Sequence, residues 1–279
     1  MLHPNAEKAF EIASGSTLNA GCGVQVNSSH ARALSITSGS HLKATDININ
    51  GRYEATSGST ASPTPDTGEM AIPDPLSWLQ PPTSSSCNHT DMEVGKNGKE
   101  TRTLSPGVYC GGIWVVNGST AILQPGEYIM RGNSKRGGLQ VKSGSTIEGN
   151  GVFIYNGNLT ACSSPADCRI SFESTSVAKL SAMQTGTYAG ILFFQERGVL
   201  VGHDDLKISI ESGSNSFFHG TLYVPSHELR YNSYANSASA APWTAVVARN
   251  FEISSNTTVA INANVSAIPN PLRRIALVE

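Results

Sequence analysis

The chain has 279 residues, 14% of them charged and 39% hydrophobic, and its formal net charge at pH 7 is −2. This charge gives no electrostatic basis for binding nucleic acid or an anionic membrane surface, so we expect neither as a partner. No apolar stretch reaches the length needed to cross a bilayer. Met1 is not followed by a signal peptide, and we expect that a targeting segment or membrane anchor has been removed from the N-terminus.

One sequence motif recurs along the chain: a short run of alternating apolar and polar residues, a Ser/Gly corner and a second alternating run. The two clearest copies span residues 9–20 and 33–44, and degenerate copies span 115–120, 141–146 and 210–215. Neighbouring copies recur about every 24 to 26 residues, a period typical of solenoid proteins. Because one such unit cannot bury its apolar face alone, we expect the units to stack on one another.

The alternation within each copy has a period of two, which is typical of strands with one face buried and one face wet. Phe10, Ile12 and Leu18 share one face, whereas Glu11 and Thr17 share the other. The sequence therefore predicts an all-β fold, a single right-handed parallel β-helix (β-solenoid) with a Pro-rich loop excursion. A β-sandwich of short strands is the alternative.

The predicted domain is a single solenoid over residues 1–279. Residues 1–60 would form N-terminal coils, residues 61–103 a Pro-rich, Cys-containing excursion, and residues 104–279 the main coils and a C-terminal cap. Prolines cannot donate to a hydrogen-bond ladder, so the excursion would cover an end of the rod or lie along its side.

Three later strands are more apolar than the N-terminal ones and should be buried more fully. They lie at residues 151–155, 190–194 and 220–224. Tyrosines at strand ends are expected to stack between coils as a core ladder, namely Tyr109, Tyr128 and Tyr155.

The chain has five cysteines. Cys162 and Cys168 flank a short loop, and Cys87 and Cys110 bracket the return from the excursion, so both pairs are disulfide candidates, the second worth about 3 kcal/mol. Cys22 is left over, and buried reduced thiols are the alternative for the whole set. No Cys-x-x-Cys or paired Cys/His spacing occurs, and we expect neither a metal nor another cofactor.

One cluster of ionisable residues is a candidate for catalysis. His203, Asp204 and Asp205 lie together near Lys207, where paired carboxylates could act in acid catalysis on a polysaccharide or hold Ca²⁺. A solvated turn explains the same residues, and a glycosidase would need a second, facing carboxyl group. No catalytic residue is assigned on this basis.

A Ser/Asn/Ala-rich loop near residue 230 is the preferred binding surface. Its composition suits adaptable contacts, and the residues that we expect to make them are Tyr231, Asn232, Tyr234 and Asn236. Exposed tryptophans could stack on sugars, but packing inside the fold is the favoured explanation for Trp114 and Trp243.

Several short runs, in this order, resemble the TadG-like extracytoplasmic domain of bacterial tight-adherence (Tad/Flp) pilus-assembly proteins. They are LHP at 2–4, CGVQVNSS at 22–29 with AL at 33–34, DPL at 74–76 followed by Cys87, LSPGVYCGGI at 104–113, LQPGEYI at 123–129, YAGILFFQER at 188–197 and FHGTLYVP at 218–225. Many such proteins have a second cysteine that would fall within residues 44–52, and this chain has none there, which leaves the partner of Cys22 open.

The resemblance implies a bacterial extracytoplasmic protein that is periplasmic, secreted or exposed at the cell surface. It implies a non-enzymatic structural or adhesive role in pilus assembly and surface attachment, with other pilus-assembly components or a cell-surface molecule as partners. Glycans are a further candidate partner, apart from the resemblance. The alternatives are a polysaccharide lyase or glycoside hydrolase of the same fold, and a non-catalytic carbohydrate-binding module.

Overall fold

A computed structural model describes residues 1–83, 86–199, 206–211, 215–232, 241–262 and 269–272. In these residues the chain is an all-β solenoid whose paired strands run parallel, with a main sheet of 16 strands. Successive coils wind round three faces, and side chains alternate between a shared core and the outside. The expected fold class is confirmed, while the right-handed winding stays a prediction.

The N-terminal coils contain nine short strands: β1 Phe10–Ile12, β2 Thr17–Ala20, β3 Val24–Val26, β4 Leu34–Ile36, β5 His41–Lys43, β6 Ile47–Ile49, β7 Tyr53–Ala55, β8 Thr60–Ser62 and β9 Asp66–Thr67. The middle coils contain β10 His89–Val94, β11 Thr101–Leu104, β12 Gly107–Val115, β13 Thr120–Leu123, β14 Gly126–Arg131, β15 Leu139–Val141, β16 Thr146–Gly157, two single-turn 3-10 helices at Leu159–Ala161 and Pro165–Cys168, β17 Ile170–Phe172 and β18 Val177–Ala182. The last coils contain β19 Ile191–Gln195, β20 Ile208–Ile210, β21 Phe217–Tyr231, β22 Thr244–Ile253 and β23 Thr258–Ile261.

The strands form three faces. The first face holds, in spatial order, β10, β12, β15, β17, β20, β21, β22, β1, β4 and β7. The second face holds β11, β13, β16, β18 and β21, and β23, β2, β5 and β8 continue it. The third face holds β12, β14, β16, β19, β21 and β22, and is continued by β3, β6 and β9. The long strands β12, β16, β21 and β22 bend round corners and therefore belong to more than one face.

The order of the coils in space differs from their order in the chain. β1 pairs with β22 on one side and with β4 on the other, and β2 pairs in the same way with β23 and β5. The N-terminal coils therefore continue the rod beyond the last coil. Since this last described coil lies inside the rod, β7, β8 and β9 rather than β22 and β23 form the end of the rod on this side. The C-terminal cap expected within residues 104–279 stays a prediction.

A strap, residues 68–83, connects the two ends of the rod. Ten strands on the first face, stacked at about 4.8 Å, make a rod roughly 43 Å long. The chain from Gly68 to Cys87 can extend to roughly 65 Å at about 3.3 Å per residue, so it is long enough to return along the outside. The excursion is thus narrower than the expected 61–103, since β8, β9, β10 and β11 belong to coils.

The strap is bound to the third face by named hydrogen bonds. Near the N-terminal coils, Asn27 Nδ2 donates to the Ile72 carbonyl at 2.7 Å, and Ile72 N donates to Asn27 Oδ1 at 3.0 Å. Farther along, the Arg197 guanidinium donates to the carbonyls of Leu76 and Leu79 at 2.6 and 2.7 Å. These contacts fix the strap at separate points along the rod.

The strands of the third face have apolar side chains on both their inward and their outward surfaces, because the strap covers the outward surface. Inward side chains such as Phe193 and Leu222 belong to the main core. Outward side chains such as Phe153, Phe194 and Tyr223 form a second cluster with Leu76 and Leu79 of the strap. Burying each of these large side chains contributes about 1.5–3 kcal/mol. The expected fuller burial of the strands at 151–155, 190–194 and 220–224 is confirmed.

Ser/Gly corners join the strands as the repeat predicts. Gly15 and Gly39 have φ of 71°, a left-handed conformation that glycine adopts without steric cost. The serine after each glycine is buried and joins neighbouring coils, because Ser16 N donates to Ser40 Oγ at 3.2 Å and Thr257 N donates to Ser16 Oγ at 3.1 Å. The corners therefore help to set the register of the coils.

The expected tyrosine ladder is present for two of its three members. Tyr109 and Tyr128 stack with ring centroids 5.8 Å apart, and their hydroxyls donate to carbonyls, that of Tyr109 to Ser105 and that of Tyr128 to Leu104 and Gln124. Tyr155 does not extend this ladder, because it faces outward into the cluster beneath the strap.

Candidate binding groove

A polar groove crosses the first face where β17, β20 and the end of β21 lie side by side, and it encloses about 390 Å³. Strand alternation creates it. Ile170 and Phe172 of β17 are fully buried in the core, so the residue between them, Ser171, faces outward. β20 repeats this arrangement around Ser209.

The floor of the groove consists of serines. Ser171 and Ser209 are paired in register and are only 4% and 6% exposed, because higher side chains on both sides cover them. The Ser209 hydroxyl donates to Glu211 Oε1 at 3.3 Å. A small floor between longer side chains leaves a trough that an extended ligand can enter.

One wall of the groove is basic. Arg169 and Lys207 each lie two residues before a floor serine, on adjacent coils. Neither forms an ion pair with any residue that the structure describes, and Arg169 Nε is buried there without a hydrogen-bond partner. Parallel neighbours lie about 4.8 Å apart, so this wall places two like charges on adjacent strands.

The opposite wall is acidic. Glu173 and Glu211 each lie two residues after a floor serine. Glu173 Oε1 accepts from Lys142 Nζ at 2.7 Å. Burial acts to raise the pKa of Glu173, but the Lys142 hydrogen bond and charge outweigh it and hold that pKa below its usual value. This wall therefore presents carboxylates at neutral pH.

The groove ends at β21, where the charges are already paired. Arg230 donates to Glu228 Oε1 at 2.9 Å and bridges to Glu252 Oε2 at 2.6 Å. Burial, with a contribution from Glu252, raises the pKa of Glu228 despite Arg230 and Lys207. The Arg230 charge is therefore balanced by two described carboxylates.

The predicted binding surface is only partly at this groove. Asn232 lines it, but Tyr231 is 2% exposed and packs edge-on against Phe251 in the core, with ring centroids 6.1 Å apart. Tyr231 was expected in an exposed loop; it lies instead at an inward position of β21, between the outward Arg230 and Asn232. Tyr234 and Asn236 lie outside the described residues.

The alternative carboxylate cluster, His203, Asp204 and Asp205, also lies outside the described residues. Sequence reasoning missed most of the groove, although a signal was present. The segments 169–173 and 207–211 both read basic, Ile, Ser, apolar, Glu. Because these two copies lie on neighbouring coils in register, the basic residues form one row and the glutamates form another.

Both predicted disulfides are confirmed. Cys87 bonds to Cys110 and Cys162 to Cys168, whereas Cys22 is free. Two disulfides favour an oxidising, extracytoplasmic environment. Across the described ranges, no cluster of three or more His, Cys, Asp or Glu side chains could hold a metal ion.

The two tryptophans singled out in the sequence differ in environment. Trp243 is buried, as expected. Trp114 faces outward on the first face, and its indole ring is contacted by the Arg136 guanidinium at 4.8 Å and by the Lys142 ammonium at 5.3 Å. These cations occupy the ring face that a sugar would stack on.

No helix in the part of the chain that the structure describes has the length and hydropathy to span a membrane. Comparisons with known proteins gave no match: no protein-family model, no curated protein and no solved structure matches this chain.

Proposed function

We propose that this chain is a non-enzymatic extracytoplasmic rod that supports surface attachment, as a structural or adhesive component of a tight-adherence pilus system. The observation that carries the proposal is the continuous rod with in-register polar rows on its outside. On the second face, for example, Asn19, Lys43 and Ser62 form one exposed row across three coils. Such rows offer a long, repetitive contact surface without any reacting group.

Two further features support a load-bearing role. The strap ties the N-terminal coils to the last coils along the third face, and the Cys87–Cys110 disulfide fixes the chain beyond its far end. The resemblance to TadG-like proteins supports placing this rod outside the cytoplasm, in contact with pilus components or a cell-surface molecule. The disulfides agree with that location.

Deletion of the gene in its own organism, with separate scoring of pilus number and surface attachment, tests the proposal. Loss of pili would assign the rod to assembly, and normal pili with poor attachment would assign it to adhesion. Unchanged pili and unchanged attachment would contradict the proposal.

A second assay tests the enzymatic alternative. Purified protein is incubated with polysaccharides, and the release of reducing ends is measured. We expect no turnover. Turnover that is abolished in the Asp204→Asn, Asp205→Asn double variant would overturn the non-enzymatic assignment.

A further inference from the structure

We propose that the groove on the first face binds a carboxylated oligosaccharide. This inference rests on the proposed attachment function and names the class of ligand that the rod contacts. Arg169 and Lys207 would hold the sugar carboxylate, and the acidic wall would accept hydrogen bonds from sugar hydroxyls.

The basic wall calls for an anion. Glu173 lies near Arg169 and Glu228 near Lys207, but no described carboxylate forms an ion pair with either cation, and Arg169 Nε is buried without a hydrogen-bond partner. Arg169 and Lys207 lie on adjacent coils, and like charges on neighbouring strands destabilise a sheet. A carboxylate between them relieves this repulsion. Guanidinium groups also bind carboxylates with two parallel hydrogen bonds, which fixes the orientation of the ligand.

The acidic wall excludes a ligand that is anionic on every side. Glu173 and Glu211 face the basic wall across the serine floor, and they would repel a second anionic edge. Their carboxylates are acceptors only. Glu173 already accepts from Lys142 Nζ and Ser143 N, and Glu211 accepts from Ser209 Oγ, so ligand hydroxyls would use the remaining acceptor positions of these oxygens. A sugar acid has both groups, a carboxylate on one carbon and hydroxyl donors around the rest of the ring.

The floor fits the same ligand. Ser171 and Ser209 carry hydroxyl groups that can donate and accept, and their small size keeps the floor low. Because they are only 4% and 6% exposed, a sugar ring would reach them only after the longer side chains of the two walls move aside. The matching rows on two adjacent coils suit two successive units of a polymer, because these coils repeat the same groups at about 4.8 Å. An acidic peptide would also satisfy the basic wall, and its backbone N–H groups are donors, but they are not held on the same ring as the carboxylate, as the hydroxyls of a sugar acid are.

Binding to a glycan array tests the inference, with galacturonate, glucuronate and sialate oligosaccharides beside their carboxyl-reduced, neutral counterparts. Hits are measured by calorimetry with the wild-type protein, the Arg169→Gln, Lys207→Gln double variant and a Lys43→Gln control. Lys43 is exposed on the second face, so the control removes a charge away from the groove. Circular dichroism and thermal melting check that the variants fold.

We expect at least one carboxylated oligosaccharide to bind, and its neutral counterpart to bind at least tenfold more weakly. Each lost charge-assisted hydrogen bond corresponds to roughly a tenfold change in Kd, so the double variant should lose tenfold or more while Lys43→Gln stays unchanged. No binding to any acidic sugar, equal binding of the neutral sugar, unchanged affinity of a folded double variant, or binding of polyglutamate in place of sugars would each overturn the inference.

The two proposals fail separately. Normal glycan binding with no attachment defect on gene deletion would contradict the attachment function alone. An attachment defect without glycan binding would contradict the groove assignment alone.

Discussion

Phe10 and Phe251 stack face to face in the core, with ring centroids 5.2 Å apart and ring planes 6° apart, although they lie near opposite ends of the sequence. Their strands pair in register, so this contact joins the N-terminal coils to the last coil. This arrangement requires the chain to return from one end of the rod to the other, and the strap provides that return.

Truncating this pair should separate the two parts of the rod. Both rings are buried, and we expect Phe10→Ala to lower the free energy of unfolding by about 3–5 kcal/mol, because a large side chain is lost from a packed core. Tyr53→Ala is the matched control, since Tyr53 lies in the same row but in the half-buried end coil. Denaturant unfolding measures the free energy of unfolding of both variants. Equal losses for Phe10→Ala and Tyr53→Ala would contradict the prediction that the Phe10–Phe251 contact stabilises the rod more than the end coil does.

Loss of Arg197 should release the strap. Its guanidinium donates to two strap carbonyls and to the Tyr223 hydroxyl, which in turn donates to Asp74. Bonds of this charged type contribute about 1.5–3 kcal/mol each. We therefore expect Arg197→Ala to be cleaved by protease within the strap at least tenfold faster than wild type. Met70→Ala, at an 84% exposed strap residue, should be cleaved at the wild-type rate; equal rates for all three proteins would contradict this role of Arg197.

The two disulfides should differ in their effect on stability. Cys87–Cys110 closes a longer loop than Cys162–Cys168, with sequence separations of 23 and 6. On the chain-entropy estimate their removal costs about 3 and about 2 kcal/mol. Paired Cys→Ser variants are compared by denaturant unfolding. If removal of Cys162–Cys168 lowered the free energy of unfolding more than removal of Cys87–Cys110, strain or local contacts, rather than loop closure, would determine the two effects, and this prediction would be contradicted.

Alkaline pH should destabilise the rod through its buried tyrosines. Burial raises the pKa of Tyr109 to about 12 and that of Tyr155 to about 12, and it also raises those of Tyr128 and Tyr223. In the unfolded chain these groups lose protons near pH 10, so unfolding releases protons and stability falls as the pH rises from about 10 to about 12.

Denaturant unfolding near neutral pH and above pH 10, with tyrosinate absorbance recorded in parallel, measures this effect. Tyr109→Phe should show a smaller fall in stability than wild type. Stability that is independent of pH above 10, or tyrosines that ionise at their ordinary pH in the folded protein, would contradict it.

Much of the fold could be predicted from the sequence, because its signals are local. The period-two alternation and the corners at Gly15 and Gly39 predict stacked coils. Close spacing suggests Cys162–Cys168, and the position of Cys87 and Cys110 around the return from the excursion suggests the other disulfide. The order of the coils was missed, although residues 10–12 and 251–253 have the same sequence, Phe-Glu-Ile. Strands of identical sequence can stack on each other at any separation along the chain. Whether these two become neighbours depends on the path of the strap, which the sequence does not reveal.

The site was harder to predict than the fold. Asn232, which the composition places on a binding surface, lines the groove, and its role in binding stays a prediction. The same composition places Tyr231 outside, whereas strand alternation turns it into the core. Arg169 and Lys207 are about 38 residues apart, well beyond the repeat of about 24 to 26 residues seen elsewhere, so their adjacency depends on how much chain each coil uses. That length varies from coil to coil, and composition alone does not determine it.

Cysteine cross-linking across the junction tests the central claim most directly. Asn19 and Ala260 lie in register on β2 and β23 and face outward. In a Cys22→Ser background, Asn19→Cys with Ala260→Cys should form an intramolecular disulfide on mild oxidation, because neighbouring coils are about 4.8 Å apart, within bonding range. Lys43→Cys with Ala260→Cys, two coils apart, should not. Failure of the first pair to cross-link in the folded monomer would contradict a rod in which the start of the chain stacks on its last coil.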